Sequence, residues 1–522
     1  MTSNMLIPSF FRRIAKQLYI VVALITIVFV IGMVAFRLAV TQLQSYRGEI
    51  QTWAQDALGL TIDFNRVDAR WALSGPELTL YDVEVSIPGT GDGSIFSATQ
   101  TSIGLSAITF VKKRRLAISR LIVSDTRLII ERLENGSVRL RGAPEQQTAN
   151  TGFRIEDLPA VEVIVRNSTV VFEDALRDVS WEFPNAGLRF AREGNQLQIE
   201  ARAEAPAALA SRIDISAEGG VSALEDNSEN WRIVAELRDL DLSALPEFFP
   251  DSEGIPHAGV GDVSVWFDLI RGKLEQATVQ LALENLHLGD NPELSVAEPN
   301  YETLVGTIEW SRQVDGWQVA FSNVNLRRQS RSWPGGVSVS LQITESADAL
   351  NGFRLSSSFL RLEDITPLIL ALPENFFTES WLAFAPRGDL LEFAFDWNGG
   401  ADTFIYSAEA DFRDIGISEN GQWPGVTGLS GEVRADSRSG RIALSSRNSQ
   451  FDWQAIFRQP LSVDEMIGAL VWRHGQDGTR IVSDNLALKN ADLTTRSNFE
   501  LTIPPDGSSP LLELATFQYG ST

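Results

Sequence analysis

The 522-residue chain contains no cysteine, which excludes a disulfide framework and any thiolate redox or metal site. Histidine is almost as scarce: His257, His287 and His474 are the only three, and no pair has the spacing that puts two imidazoles on one metal. No G-x-S-x-G nucleophile element occurs, since "GLSGE" around Gly428 matches it only superficially and reads as a turn before a strand at Val433. "PGTGDGS" (Pro88–Ser94) lacks the lysine and following helix of a phosphate loop, and reads as a hairpin loop. Carboxylate pairs such as Asp239 with Asp241, or Glu363 with Asp364, are expected by chance among 68 acidic residues. The expectation is a protein that is not an enzyme and uses no cofactor or metal.

Positive charge is also in deficit, with 44 basic against 68 acidic residues and a net charge of −24. Arg12, Arg13, Lys16, Arg37 and Arg47 against Glu49 give the first 50 residues +4, so the remainder carries −28. Such a body repels nucleic acid, which is excluded as a partner. One local exception is Lys112, Lys113, Arg114 and Arg115, a solvated loop or strand end on one reading and a phospholipid headgroup contact on the other.

Long apolar runs are missing except for one, "LYIVVALITIVFVIGMVAF" (Leu18–Phe36), which has no charge. As a helix it reaches about 28 Å, enough to cross a bilayer's hydrocarbon. The basic residues ahead of it favour a cytoplasmic N-terminus and place the bulk of the chain in the periplasm or exterior. Leu43, Ile50, Trp53, Ala54 and Leu58 then share one helical face ending near Gly59.

What is abundant is two-residue alternation. A hydrophobic content of 44% with 9% aromatics excludes disorder, and the length suggests three to four domains or one elongated repetitive body. Leu78 and Leu80 alternate, slip phase at Tyr81-Asp82, and resume with Val83 and Val85. Leu121 and Val123 are followed by Asp125-Thr126, read as a turn, then Leu128 and Ile130. Val161, Val163, Val279, Leu281, Leu283, Phe404 and Tyr406 continue the pattern. Each strand has one apolar and one polar face, as half-buried antiparallel strands do.

Helical patterns beyond residue 59 are few: Leu242–Phe249, capped by Asp241 or Ser243; Ile365–Leu372, capped by Asp364 or Thr366; and Val463–Ile467. With so little helix, the sheet must cover itself or cover something that is not protein. Trp71, Trp310, Trp317, Trp397, Trp453 and Trp472 fall in strand-like segments, where they pack or meet an apolar ligand.

"ALPEFF" from Ala244 recurs as "ALPENFF" from Ala371, and Gly261-Asp262 and Gly388-Asp389 follow at the same 127-residue displacement. Leu283, Leu286 and Leu288 correspond to Phe412, Ile415 and Ile417 further on, which marks a long repeat. Breaks are expected at 143–151 and more weakly at 225–230. The resulting division is a basic N-terminus (1–17), a transmembrane anchor (18–37), a membrane-proximal helix (38–59), β segments at 60–142 and 151–230, a repeat-containing segment (231–350), and a second repeat copy with a terminal β segment (351–522).

"GPELTLYDVEVSI" (Gly75–Ile87), "LAISRLIVSDTRLIIERLENGSVRLRG" (Leu116–Gly142), "LSSSFLRLEDITPLILALP" (Leu355–Pro373), "WPGVTGLSGEVRADSRSGRIALSS" (Trp423–Ser446) and "LVWRHGQDGTRIVSDNLALKNADL" (Leu470–Leu493) resemble the AsmA-like family, in particular its large YhdP-type members. The resemblance implies a Gram-negative inner-membrane anchor and a long, mostly β, taco-like sheet curled into a groove. It also implies phospholipid as cargo between inner and outer membranes, with outer-membrane or other envelope proteins as partners. It is to the N-terminal part of longer bridges, so a complete crossing by this polypeptide alone is not expected. The groove would be lined by Leu78, Leu80, Val83, Val85, Leu121, Val123, Leu128, Ile130, Val161, Val163, Val279, Leu281, Leu283, Phe404 and Tyr406. The contrasting expectation is an envelope assembly or scaffold protein with closed β-sandwiches and no lipid.

Overall fold

The computed structural model describes residues 61–72, 75–86, 96–106, 118–133, 136, 138–141, 162–220, 230–248, 258–288, 300–346, 349–370, 376–400, 403–420, 424–452, 458–505 and 511–519, with scattered positions between 19 and 52. Most of the apolar run 18–37, most of segment 38–59, the tetrad 112–115, Val161 and nearly all of both expected breaks lie outside the described residues. Tyr19, Ala23, Leu24, Thr26, Ile27 and Val30 are helical. Among the described residues no helix is long and apolar enough to cross a membrane.

The chain divides into two units, Met1–Glu204 and Ala205–Thr522. The first holds β1 (Thr61–Asp63), β2 (Arg66–Ala72), β3 (Gly75–Ser86), β4 (Phe96–Leu105), β5 (Ile118–Arg132), β6 (Val138–Leu140), β7 (Glu162–Asp174), β8 (Val179–Glu193) and β9 (Gln196–Glu204). Here β1 and β2 both pair with β3, which continues through β4, β5, β7, β8 and β9, while β6 pairs with the end of β5. All of these pairings are antiparallel except β5 with β7, which is parallel.

The second unit holds β10 (Arg212–Gly220), β11 (Asn230–Asp241), β12 (Ala258–Ile270), β13 (Lys273–His287), β14 (Tyr301–Gln313), β15 (Gly316–Arg328), β16 (Arg331–Ser332), β17 (Val337–Ser346), β18 (Ala349–Arg361), β19 (Arg387–Gly400), β20 (Thr403–Ile417), β21 (Gly425–Asp436), β22 (Ser439–Asp452), β23 (Leu461–Gly475), β24 (Gly478–Lys489), β25 (Thr494–Ile503) and β26 (Leu511–Tyr519). These form an antiparallel meander in which each long strand pairs with the next. Helices are short: a 3-10 turn at Leu242–Ala244 leads into α1 (Leu245–Phe248), and α2 (Leu362–Leu370) and α3 (Phe376–Phe384) join β18 to β19.

Strands of 12 to 15 residues cannot hold strict alternation on a bending sheet, and they are re-phased by one device. Ten contain an Asp, Asn or Glu in the left-handed region, with φ between 46° and 55°: Asp82, Asp125, Asn167, Asn185, Asp239, Asn285, Asn323, Glu392, Asp414 and Asn448. In each, the residues two before and one after share a face, as with Leu80 and Val83, Leu237 and Leu240, or Leu283 and Leu286. At eight of the ten the register to a neighbouring strand shifts, the mark of a β-bulge, which inserts one residue and bends the strand; at Asp82 and Asp125 the register runs on unshifted while the apolar face changes phase. Asx side chains tolerate the left-handed conformation best.

At several of these positions small hydroxyl and carboxylate groups on the adjoining strand receive backbone N–H groups displaced from the ladder. Thr126 N donates to Ser168 Oγ (3.3 Å), Asp239 N to Asp262 Oδ1 (3.0 Å), Asp414 N to Ser430 Oγ (3.0 Å) and Ser430 N to Ser446 Oγ (2.9 Å). Hence Ser168 and Ser446 are almost wholly buried although polar.

Four sequence expectations are corrected. Gly428–Glu432 is not a turn before a strand at Val433 but lies inside β21. Asp125-Thr126 is not a turn but lies inside the continuous β5, with Asp125 left-handed. Val463–Ile467 is not helical but part of β23; its buried positions Val463 and Met466 stand three apart, which imitates helical spacing. Asp364 does not cap the second helix, because α2 begins at Leu362 and the carboxylate is buried, accepting from Trp333 Nε1 (2.9 Å). The expected cap at Asp241 is present, its side chain accepting from Ser243 N. Both copies of the repeat landmark join strand, helix and a Gly-Asp strand start, and in both the aspartate accepts from an arginine of the preceding strand: Arg238 to Asp262 (2.9 Å) and Arg361 to Asp389 (3.0 Å).

On the polar face of the first unit, Arg120, Glu162, Arg189 and Glu200 form a charge ladder across β5, β7, β8 and β9, with contacts of 2.6, 2.9 and 3.1 Å. Partial burial pushes the Glu162 carboxyl up, but the two guanidinium groups outweigh it and hold it below the usual range. Its stabilisation is therefore present above the ordinary glutamate value and is lost as pH falls through the lower folded one. Glu162→Gln is expected to lower the urea midpoint at neutral pH, with the difference from the parent vanishing in acid. A second expectation concerns the left-handed position: Asp125→Val should cost about 1–2 kcal/mol for a β-branched residue at positive φ. Asp125→Gly should nearly preserve stability, as read by the same denaturation.

Candidate functional site

Strand register determines whether alternating apolar residues form a continuous surface or isolated patches. In the first unit Ala69, Leu78, Ile103, Leu121, Val163, Phe190 and Ile199 are successive register partners across β2, β3, β4, β5, β7, β8 and β9. Leu80 and Val123 stand in the adjacent row through Thr101. Beyond Asp125, Leu128 meets Val170, and Ile130 meets Phe172, whose ring stacks on Trp181 at 5.7 Å.

Burial separates these residues. Leu80, Val83 and Val85 are sealed in a packed cluster with Ile62, Phe64, Val67, Ile103 and Leu105, and Val123 is also buried. Leu78, Leu121, Leu128, Ile130 and Val163 are half-buried.

The second unit carries a longer strip. Ala217, Ile233, Phe267, Ala277, Trp310, Val319, Leu341, Leu355, Phe395, Ala408, Ala435, Gly440, Trp472, Ile481 and Leu501 are register partners from one strand to the next, over 15 strands. No polar residue interrupts them. At about 4.8 Å per strand the strip runs roughly 65–70 Å. Fourteen are half-buried and only Gly440 is buried. That glycine has a steric reason, since a Cβ there would lie 2.0 Å from the Trp472 ring.

A parallel row holds Val279 and Ile308, with Leu281 one row on toward the bulges. Tyr406 pairs with Trp397, which adjoins Phe353 and Phe395 in an aromatic group with ring spacings of 5.6 to 6.2 Å. Phe404 is register partner of Gly399.

Near the bulges the same face is closed by protein. Leu240, Leu242, Leu283, Leu286, Tyr301, Val324, Trp333 and Phe359 form a packed cluster, against which Leu245 and Phe248 of α1 and Ile365 of α2 lie. So Leu283 is core, while Val279 and Leu281 are half-buried.

A polar network anchors α2 to this core. Tyr301 OH donates to the Asp364 carbonyl (2.8 Å), and Arg328 and Arg361 each stand 3.6 Å from the Asp364 carboxylate. Burial pushes that carboxyl up, against the opposite pull of Trp333 and the two guanidinium groups.

Phe267, Trp310, Leu341, Phe395, Ile481 and Leu501 were not distinguishable as members of one strip from alternation alone. The pairing partner of each strand is the missing information, and bulges offset simple counting. His287 and His474 hydrogen-bond locally, to Asn285 O and Thr479 Oγ1, and among the described residues no group of three or more His, Asp or Glu is placed to hold a metal.

Fold and surface together define a mostly antiparallel β protein in which each unit carries a continuous apolar strip. The chain belongs to the YhdP family, whose model, described as YhdP protein, matches residues 1–516. It is 20% identical over 516 residues to the intermembrane phospholipid transporter YhdP of Escherichia coli (strain K12), covering 94% of this chain and 38% of that protein. The chain thus spans well under half the length of this curated relative. No solved structure matches it.

A packed core and an open strip respond differently to truncation. Leu286→Ala, at a 2% exposed position, is expected to cost about 2–5 kcal/mol through cavity formation. Ile308→Ala on the half-buried strip should cost about 1 kcal/mol or less. Equal losses in denaturant titration would mark the strip as ordinary core.

Proposed function

We propose that the apolar inner face carries phospholipid acyl chains between the two membranes of a Gram-negative envelope. The observation that carries this reading is the half-buried strip of the second unit: register makes it continuous over 15 strands, and protein covers it only near the bulges. Family membership and the activity named for the E. coli relative support the same cargo.

The energetic reason for a strip is the cost of wet hydrocarbon. At about 0.8 kcal/mol per CH₂, two acyl tails exposed to water cost on the order of 20 kcal/mol. A continuous apolar floor removes most of that barrier, while a break of a few strands restores it locally. The inner face of the sheet is a groove on this reading, with headgroups at its opening and the polar faces in water. Leu78, Leu121, Leu128, Ile130, Val163, Val279, Leu281 and Tyr406 belong to the lining in addition to the strip.

The apolar run 18–37 is the inner-membrane anchor, with the bulk of the chain periplasmic, and Lys112–Arg115 is a headgroup contact. Direction comes from a lipid gradient or from envelope partners. The scaffold alternative draws on the two packed clusters, which bury Leu80, Val83, Val85 and Leu283 without lipid.

Photoreactive residues separate the two readings. Placed at Val279, Ile308 or Leu341 in the full chain in membranes, they are expected to label phospholipid. At the outward Gln280 or Glu309 they are expected to label none. Equal labelling from both sets, or none from either, contradicts a one-sided lipid surface.

A further inference from the structure

On the outer face of the second unit several arginines stand opposite a carboxylate. Arg232 and Asp268 are register partners 2.8 Å apart, and Arg354 and Asp396 are register partners 2.5 Å apart. Opposed pairs of this kind stabilise a sheet, and like charges directly opposite destabilise it.

Arginines also stand opposite each other at Arg212 and Arg238, where each has a carboxylate, Asp214 and Asp262; two further such pairs lie across β21 to β24. Arg434 stands opposite Arg441, and Arg473 opposite Arg480. Arg480 finds Glu500, but Arg434, Arg441 and Arg473 have no carboxylate partner among the described residues. Glu409 is the register partner of Arg434 on β20, yet the two form no ion pair. These three guanidinium groups form no ion pair among the described residues, although Glu409 and Asp436 border the same surface depression.

The outward positions among these arginines are apolar where the alternation calls for polar residues. Val471 and Val482 are register partners, Val471 is 37% exposed, and Ile467 beside them is 48% exposed. Two adjoining depressions of about 630 and 500 Å³ share Arg441, Val471 and Arg473. Each has the size of a small-molecule site rather than of a protein interface. Guanidinium groups bind phosphate through paired hydrogen bonds, and the valines offer a surface for hydrocarbon.

We propose that the outer face of β21–β24 is a second binding site, for a phosphate-bearing amphiphile, with the phosphate held by Arg434, Arg441 and Arg473 and the apolar portion resting on Val471 and Val482. The site faces away from the inner strip, so it does not depend on the transport reading.

The test uses the full chain in phosphatidylcholine nanodiscs and a diazirine-bearing dodecyl phosphate. Photolabelling is expected on the peptide spanning 461–489, and Arg441→Gln with Arg473→Gln should reduce it by about tenfold or more, as loss of two charge-assisted contacts implies. Val471→Asn should also reduce it, whereas Arg232→Gln, on the same face but distant in strand order, should not. Inorganic phosphate is expected to compete at least about tenfold more weakly than unlabelled dodecyl phosphate, because it lacks the apolar contact.

Because the double variant relieves like-charge opposition, its melting temperature without ligand should be unchanged or higher. A fall would assign the arginines to the fold and overturn the proposal. So would labelling that is indifferent to the double variant, equal competition by inorganic phosphate, or stronger competition by an acidic peptide than by dodecyl phosphate.

Discussion

A single residue in the left-handed conformation, repeated in ten of the strands, governs this architecture. A strand of 15 residues has a strict two-residue period, so on a curving sheet its apolar side chains drift off the surface they are meant to form. The left-handed residues at Asp82, Asp125, Asn285, Asp414 and their counterparts reset that period within their strands. In the first unit the alignment is direct: β5 and β7 are in parallel register at a constant offset, and Asp125 and Asn167 fall at the same step of it. The strands thereby bend together, and the apolar side remains apolar on both sides of the bend.

The same device explains why small polar residues are buried in a face otherwise made of Leu, Val and Phe. A bulge releases an N–H that water cannot reach, and a serine or threonine on the next strand accepts it at little steric cost. Ser446 is the clearest instance, accepting from Ser430 N and donating to Ser430 O at 3.0 Å. These hydroxyls also mark a change in burial along the apolar face. On one side of the bulge line Leu240, Leu286, Val324 and Phe359 are packed under α1 and α2; on the other, Phe267, Trp310, Leu355 and Phe395 stay half-open.

Much of this was legible from residue order. Alternation located the strands, and the slip at Tyr81-Asp82 is the phase change at the left-handed Asp82 itself. The repeat landmark Leu283, Leu286, Leu288 against Phe412, Ile415, Ile417 is the bulge signature in two strands, recognised as similarity before its geometry was known. What stayed hidden depends on partners distant in sequence. Nothing local to Asp364 announces that Trp333 and Tyr301 will enclose it, and α3 at Phe376–Phe384 lacks the strong one-sided patterning of an independent surface helix. Val463–Ile467 misled because a strand with two buried residues three apart is indistinguishable from a helical turn over so short a window.

From Arg212 onward each long strand leans on the one synthesised just before it, so the second unit needs almost no partner that has yet to be made. Sequentially neighbouring hairpins close small loops at low entropic cost, and such a body grows by accretion as the polypeptide emerges. The growing edge is always an open strand, able to template the next arrival and equally able to capture a stranger. The parallel junction of β5 with β7 departs from this order: there β7 docks beside a strand laid down about 40 residues earlier, so assembly of the first unit pauses for a longer loop to close.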